Sequence, residues 1–186
     1  RKSKKRLDEI AETYGLDFSE QYKNSKKVNY VNSVNDDVTI DLIKNYSPDV
    51  VVVNGTRIIS KKVLETIKVP VINMHTGITP KYRGVHGGYW AVVNNDKNNC
   101  GVTVHFVNSG VDTGDIIRQG CIPITKDDNY ITYPRLQTGE GIKLELDVLK
   151  DFESNGSIET ISVDLPSTLW SHPTIFQYFR NLKKTK

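Results

Sequence analysis

Three side chains of complementary chemistry stand just beyond two apolar segments of the chain. Asn73 and His75 follow one such segment, and Asp112 follows another segment and the short turn after it. An amide can donate a hydrogen bond to a developing oxyanion, an imidazole can transfer a proton near neutral pH, and a carboxylate can orient that imidazole. If the two places meet in space, the three residues form a candidate catalytic centre.

Each of these residues also has a simpler interpretation when it is taken alone. Asn73 after a strand could be a turn residue that hydrogen-bonds its own backbone. His75 could be an ordinary loop histidine, and Asp112 could cap a turn. These alternatives stay open for the single residues, and only their joint pattern decides among them.

Alternating apolar segments supply the elements that must position these residues. The predicted strands cover residues 28–31, 50–53, 69–73, 102–107 and 116–124. The predicted helices cover residues 4–14, 37–47, 60–67, 89–94 and 130–152, with a loop over residues 76–88. The run of four valines at 50–53 is predicted to be a strand buried on both faces. Helices and strands that alternate at this spacing favour an α/β fold with a mostly parallel central sheet.

The predicted sheet brings the candidate residues to one edge. In open parallel sheets, ligands bind beyond the carboxyl ends of the strands. Asn73 and His75 are predicted to lie just past one such end, and Asp112 just past the turn that follows a second strand. We therefore expect all three to converge there.

Two motifs resemble the signatures of the folate-dependent formyltransferases. The first consists of Asn73-Met74-His75 followed by Gly77-Ile78-Thr79-Pro80-Lys81-Tyr82-Arg83-Gly84, and is similar to N-x-H…LLP-x-Y-R/P-G. The second consists of Gly101-Val102-Thr103-Val104-His105-Phe106-Val107 and Gly110-Val111-Asp112-Thr113-Gly114-Asp115, and is similar to G-x-T-x-H-x-x…G-x-D-x-G-x. They occur in the family's order and at close to its separation. The similarity spans residues 36–153.

The resemblance implies a Rossmann-like formyltransferase domain that uses 10-formyltetrahydrofolate as co-substrate. Asn73 and His75 would hydrogen-bond the formyl oxygen, and Asp112 would orient His75 and help to remove a proton from the attacking amine through a water. The residues that would bind the pterin ring are Arg57, Ile58, Ile59, Asn108, Ser109, Gly110 and Val111. Residues expected near the second substrate are Thr76, Gly77, Arg83 and His86. Arg83 could equally make a structural bond within its loop, and His86 matches a histidine of the purine-pathway branch.

The acceptor amine is less defined by the resemblance. Family members usually begin with a strand and a glycine-bearing loop that binds part of the acceptor, and no such element is found ahead of residue 28. A transfer-RNA enzyme normally carries a C-terminal barrel, which residues 157–186 are too few to form. We therefore expect a nucleotide-linked amino sugar first and glycinamide ribonucleotide second. A catalytically silent homologue that binds folate, or acts as a structural partner, is the alternative from another class.

The chain is predicted to divide at residue 156. Residues 1–156 would form the catalytic domain, N-terminally incomplete, and residues 157–186 a C-terminal tail. The tail contains Trp170, Phe176, Tyr178 and Phe179, so it should pack on the domain or on a second copy in a homodimer. Because the only methionine is Met74, we expect the chain to be an excerpt of a longer protein.

The composition of the chain narrows the classes of partner that we expect it to bind. The chain of 186 residues has a net charge of +3, which is weak evidence for a nucleic-acid partner, and it has no apolar run of about 20 residues for spanning a membrane. Its two cysteines favour a reducing compartment, so we expect a cytoplasmic protein that binds a small-molecule amine. The histidines and cysteines lack metal-ligand spacing, so no metal is expected. His105 is predicted to be a structural histidine inside the domain.

Overall fold

Helices flank a central sheet in the computed structural model, which describes residues 2–16 and 25–185. The helices are α1 (Lys2–Tyr14), α2 (Asp37–Tyr46), α3 (Lys61–Thr66), α4 (Gly87–Val93), α5 (Tyr133–Asn155) and α6 (Ile175–Asn181). The strands are β1 (Val51–Val53), β2 (Val71–His75), β3 (Arg83–Gly84), β4 (Gly101–Phe106), β5 (Ile116–Cys121) and β6 (Leu169–Trp170). The predicted α/β class is confirmed.

The central sheet is mixed rather than mostly parallel in the described residues. Its strand order is β1-β2-β4-β5, with β1 parallel to β2 and with β4 antiparallel to both β2 and β5. A parallel pair needs a crossover of a dozen or more residues, which residues 54–70 provide between β1 and β2 with helix α3. Residues 107–115, between β4 and β5, are too few for a crossover, so those strands run antiparallel.

Three predictions about the strands are wrong in detail. Val52 is 42% exposed on β1, which forms an edge of the described sheet, so this strand is not buried on both faces. Residues 28–31 are irregular rather than a strand, and Tyr30 is 75% exposed. Asn73 and His75 lie inside β2 rather than beyond it, because pairing with β4 continues to His75.

The described residues ahead of residue 28 contain helix α1 and an irregular segment. Residues 17–24 lie outside the described part, so the expectation that the usual first strand and glycine-bearing loop are missing stays a prediction. Helix α1 packs on α5. Arg6 on α1 also forms an ion pair with the buried carboxylate of Asp128, with 2.9 Å between Nε and Oδ1.

Helix α5 lies close against the sheet. A Cβ at Gly141 would come within 2.0 Å of the Met74 Sδ, so only glycine allows the helix to approach β2 this closely. The apolar core on this side contains Ile72, Val104 and Val148. A second core cluster surrounds α4, a helix that is buried along its whole length. The helices therefore cover the sheet and fix the positions of β2 and β4.

The segment after residue 156 packs on the body of the domain. The Ile161 amide donates to the Ile116 carbonyl at 2.7 Å, and β6 pairs in parallel with β3. The prediction that the tail aromatics pack is confirmed for Trp170, which stacks on Trp90 with ring centroids 4.7 Å apart. Phe176, on α6, is 87% exposed, and the expected homodimer stays a prediction. No helix in the described part is long and apolar enough to cross a membrane.

Glu145 on α5 is a buried carboxyl that weakens the fold at high pH. It is 8% exposed, and its Oε1 atom has no hydrogen-bond partner in the described part of the chain. Burial raises the pKa of Glu145 from an ordinary 4.5 to about 7. The unfolded chain therefore loses this proton before the folded chain does. Stability should fall as the pH rises from 4.5 toward 7.

The substitution Glu145→Gln should consequently raise the melting temperature at pH 8 by a few degrees, with little effect at pH 4, since about 1 kcal/mol corresponds to roughly 2–4 °C in a chain of this size. Thermal unfolding followed by circular dichroism at both pH values measures this difference. Glu153→Gln is the matched control, because Glu153 lies exposed on the same helix. An equal change for Glu145→Gln at both pH values would contradict the proposed cause.

Candidate active site

Four polar side chains meet on one face of the β2–β4 pair rather than beyond a shared carboxyl end, because these strands are antiparallel. Asn73 Nδ2 lies 3.1 Å from His105 Nε2, which lies 3.6 Å from Asp112 Oδ1. The other carboxylate oxygen, Asp112 Oδ2, lies 3.4 Å from His75 Nδ1. The structure therefore brings Asn73, His75 and Asp112 together as expected, and adds His105 between them.

Strand register explains how three of these residues come together. Asn73 on β2 is paired directly with His105 on β4, so their side chains project from the same face of the sheet. His75 is two residues beyond Asn73 and projects from that face as well. The N-x-H spacing thus places an amide and an imidazole side by side only when the segment is a strand.

Asp112 reaches the cluster from a tightly folded turn. The Asn108 side chain shapes this turn by accepting hydrogen bonds from the Gly110 amide at 2.9 Å and from Thr113 Oγ1 at 2.7 Å. Asp112 itself has a φ of 50°, in the left-handed region that few non-glycine residues adopt. The Gly84 amide donates to Asp112 Oδ2 at 2.8 Å and fixes the carboxylate.

His75 and Asp112 face one another as two hydrogen-bond acceptors. His75 Nε2 lies 2.7 Å from the Tyr82 carbonyl oxygen, which can only accept, so Nε2 carries the proton. Burial lowers the pKa of His75, although the charge of Asp112 and the bond to Tyr82 oppose that effect. In neutral His75, the lone pair of Nδ1 is therefore directed toward Asp112.

The Asp112 carboxyl is ionised in this arrangement. Burial acts to raise the pKa of Asp112, but its interactions with His105 and His75 and the Gly84 amide outweigh burial and lower that pKa. An ionised carboxylate and a neutral imidazole nitrogen 3.4 Å apart are poised to share a proton that arrives between them.

His105 orients the Asn73 amide. Its Nδ1–H donates to the Phe106 carbonyl at 2.8 Å, which leaves Nε2 to accept from the amide of Asn73. One N–H of that amide then remains for another acceptor. The prediction that His105 is satisfied within the domain agrees with these bonds. The prediction missed that His105 also lies in the wall of a cleft, although its position opposite Asn73 in the strand register could have indicated this.

A cleft of about 380 Å³ is lined by three members of this cluster but not by His75, and its volume lies within the range of small-molecule sites. It is lined by Asn73 and Asp112 and by all but one of the residues predicted to bind the pterin, namely Arg57, Ile58, Ile59, Asn108, Gly110 and Val111. Ser109 does not line it. The remaining wall comes from Val53, Thr56, Gly84, Val85, His105 and Val107. Segments far apart in the sequence thus form one site.

Asn35 holds one wall of this cleft, and sequence reasoning did not identify it. Its Nδ2 donates to the Ile58 carbonyl at 3.0 Å, and its Oδ1 accepts from the Ser60 amide at 2.7 Å. These bonds fix both sides of a short loop. The side chain of Ile58 is 75% exposed there, which presents an apolar surface at the rim of the cleft.

The residues expected at the second substrate do not line this cleft. Arg83 makes a structural bond within the site region, from Nη1 to the Val111 carbonyl at 3.1 Å. His86 lies in a separate cluster, where its Nε2 is 3.0 Å from both the Tyr130 hydroxyl and His172 Nδ1. Contacts of Thr76, Gly77, Arg83 and His86 with a substrate stay predictions.

Gly77 has a structural reason to be glycine. A Cβ at this position would come within 2.3 Å of the Tyr82 carbonyl oxygen and 2.6 Å of His75 Nε2. The loop therefore closes around the imidazole only because no side chain is present. In the described part of the chain, no group of three His, Cys, Asp or Glu side chains is arranged to hold a metal ion.

The α/β domain thus has a cleft lined by an amide, an imidazole and a carboxylate, with a second imidazole beside the carboxylate. Residues 11–144 match the profile of a family described as formyl transferase. The chain therefore belongs to the formyl transferase family. This confirms the resemblance drawn from the two sequence motifs.

The first curated relatives that the chain matches are methionyl-tRNA formyltransferases. The chain is 43% identical over 88 residues to methionyl-tRNA formyltransferase of Pelotomaculum thermopropionicum, a match of 47% of this chain and 28% of that protein. The chain spans between 28% and 39% of the length of the first curated relatives that it matches.

Two solved structures show the same fold. A sugar N-formyltransferase from Shewanella sp. superposes with a TM-score of 0.62 and 20% identity, covering 81% of this chain and 65% of that one. HypX from Aquifex aeolicus, in complex with tetrahydrofolic acid, superposes with a TM-score of 0.60 and 21% identity, covering 74% of this chain and 24% of that one.

The pairing of His75 with Asp112 predicts a measurable titration. The His75 imidazole should titrate below its ordinary pKa of 6.5, because burial is the largest influence on it. Asp112→Asn removes the charge that opposes burial, so the pKa of His75 should fall further. Nuclear magnetic resonance of the imidazole protons between pH 4 and pH 8 measures both values.

His86 is the internal control for this titration. The pKa of His86 is lowered by burial and by His172, and neither influence involves Asp112. Its titration should therefore be the same in the Asp112→Asn protein. A rise in the pKa of His75 on this substitution would show that the carboxylate does not act on the imidazole as the geometry indicates.

Proposed function

We propose that this protein transfers the formyl group of 10-formyltetrahydrofolate to a primary amine. The observation that carries the proposal is the side-chain cluster, in which the Asn73 amide, which lines the cleft, lies with the facing acceptors of His75 and Asp112. An oxyanion donor beside a proton acceptor is what nucleophilic attack on a formyl carbon requires.

The cleft is suited to the donor. Its walls combine apolar residues such as Ile58, Ile59 and Val107 with the polar residues Arg57 and Asn108, a mixture suited to a flat heterocycle that carries hydrogen-bonding groups. The fold it shares with HypX, whose structure contains tetrahydrofolic acid, supports this assignment. The formyl group would then point toward Asn73 in the wall of the cleft.

The cluster supplies the transfer steps in order. The uncharged amine attacks the formyl carbon, a C–N bond forms, and the carbonyl electron pair moves onto oxygen. The remaining N–H of the Asn73 amide stabilises this oxyanion. The amine proton passes, directly or through a water, to His75 Nδ1, which shares it with Asp112 Oδ2. When the intermediate collapses, the bond to the folate nitrogen breaks, and that nitrogen takes a proton as tetrahydrofolate leaves.

His75 has a different part in this geometry from the one that the resemblance implies. Its Nε2–H is bonded to the Tyr82 carbonyl, so neutral His75 is placed to accept a proton rather than to donate to the oxyanion. Protonation at Nδ1 gives an imidazolium beside Asp112, and this charge pair stabilises the intermediate. Asn73 is then the main donor to the oxyanion.

For the acceptor, we propose a nucleotide-linked amino sugar. The fold shared with the Shewanella sugar N-formyltransferase supports this choice. The amino group of methionyl-tRNA is the second candidate, favoured by the names of the curated relatives. Glycinamide ribonucleotide stays the alternative suggested by His86. Supplying each amine separately with the same formyl donor, and detecting the formylated product by mass spectrometry, distinguishes the three.

Turnover should depend on the Asp112 carboxylate. We expect Asp112→Asn to lower kcat for formyl transfer by roughly 10²–10³, with a similar loss for Asn73→Ala, because each removes a group that acts on the transition state. Initial rates of tetrahydrofolate release, with and without an amine, measure this effect. Asp115→Asn is the matched control, since Asp115 lies exposed three residues further along the same turn.

The outcome also separates an enzyme from a silent homologue. Calorimetric titration with a non-hydrolysable folate analogue reports binding to the cleft independently of chemistry. Binding without any formyl transfer or folate hydrolysis would favour the silent homologue. Unchanged turnover in both Asp112→Asn and Asn73→Ala would place the reaction elsewhere.

A further inference from the structure

Two backbone groups of one short segment hold the catalytic side chains. The Tyr82 carbonyl accepts from His75 Nε2 at 2.7 Å, and the Gly84 amide donates to Asp112 Oδ2 at 2.8 Å. The path of the chain from Tyr82 to Gly84 therefore sets the separation of the imidazole from the carboxylate. Contacts that fix this segment therefore also fix the geometry of the proposed proton acceptor, the pair of His75 and Asp112.

Residues 168–171, which we term the C-terminal strap, hold that segment by backbone hydrogen bonds. The Arg83 amide donates to the Thr168 carbonyl, and the Val85 amide donates to the Trp170 carbonyl, both at 3.1 Å. These two bonds stand on either side of Gly84. A Cβ on Gly84 would come within 2.3 Å of the Trp170 carbonyl oxygen, so strap and segment are in closest contact beside the amide that binds Asp112.

The Trp170 side chain anchors the strap to the body of the domain. Its Nε1–H donates to the Lys81 carbonyl at 3.0 Å. Its ring stacks between Tyr82 and Trp90, with centroid distances of 5.9 Å and 4.7 Å and interplanar angles of 24° and 26°. Trp90 in turn donates from Nε1 to the Ser171 carbonyl at 3.0 Å. One indole thus fixes the strap in position against both the loop and helix α4.

The contribution of the strap is distinct from that of Tyr82. The Tyr82 side chain is held on the body by its hydroxyl, which donates to Asp96 Oδ2 at 2.8 Å, and its amide donates to the Ile78 carbonyl at 2.8 Å. His75 therefore keeps its partner without the strap. The Gly84 amide lies between the amides of Arg83 and Val85, whose hydrogen bonds among the described residues go only to the strap. The orientation of the Gly84 amide toward Asp112 therefore depends on the strap.

We propose that Trp170 is a positioning residue for formyl transfer, acting through the strap and Gly84 to hold the Asp112 carboxylate against His75. This inference rests on the proposed function of the site. The bound donor would still be held by most of the cleft wall, because only Gly84 and Val85 among the lining residues belong to the segment that the strap holds, and Trp170 itself does not line the cleft. Loss of Trp170 should therefore impair the chemical step more than donor binding.

The test compares Trp170→Ala, Trp170→Phe and the control Phe176→Ala in the same chain. Phe176 is a tail aromatic of which 87% is exposed. We expect Trp170→Ala to lower kcat by roughly tenfold or more with KM for the formyl donor nearly unchanged, since small displacements in an active site are costly. Trp170→Phe retains a stacking ring and should recover most of kcat. Phe176→Ala should behave as the wild type.

Amide hydrogen exchange at Gly84 provides a readout that does not need turnover. Exchange should be roughly tenfold or more faster in Trp170→Ala than in the wild type, because the bond to Asp112 opens more often. It should be intermediate in Trp170→Phe and unchanged in Phe176→Ala. If Trp170→Ala does not fold, as judged by circular dichroism, the exchange rate and kcat of Trp170→Phe decide the question.

The possible failures are distinguishable. An inactive wild type whose Gly84 exchange responds to Trp170→Ala would overturn the proposed function and leave the strap coupling in place. An active wild type whose kcat and Gly84 exchange ignore Trp170→Ala would overturn the inference about Trp170. Equal losses in Trp170→Ala and Phe176→Ala, or a loss confined to KM, would overturn it as well.

Discussion

The arrangement of the site depends on the interactions of one group, the Asp112 carboxylate. A partly buried charge needs a hydrogen-bond donor, which the Gly84 amide provides here, and the imidazoles of His75 and His105 flank the same carboxylate. These neighbours come from a loop and two strands, so the surroundings of one carboxylate require three parts of the chain to be in place. Asp112 has a left-handed backbone conformation, which is strained for a residue other than glycine, and this network keeps the residue in that conformation.

Close backbone approaches make that network possible. Gly77 lets its loop fold against His75, Gly84 lets the strap lie against the loop, and Gly87 has the Cα of Gly77 within 2.6 Å of where a Cβ would stand. Side chains at these positions would separate segments whose hydrogen bonds are about 3 Å long. These glycines are therefore steric requirements of a compact loop.

The motifs predicted which side chains lie together better than the apolar pattern predicted the architecture. Asn73, His75 and Asp112 were recognisable because their spacing matched a family pattern, and most of the predicted pterin-site residues do line one cleft with Asn73 and Asp112. The direction of the strands was predicted less well. Apolar runs indicate burial but carry no information on whether a neighbouring strand runs parallel or antiparallel, which depends on the connections.

The sequence by itself determined the residue types at the site, the elements that carry them and the family to which the chain belongs. Only the tertiary structure decided that His105 lies between Asn73 and Asp112, that Asn35 fixes the loop of residues 57–59, and that Trp170 bonds to the chain just ahead of Tyr82. The physical reason is the same in each case. These contacts join residues far apart in the chain, and local periodicity reports the burial of a residue but not the partner it meets.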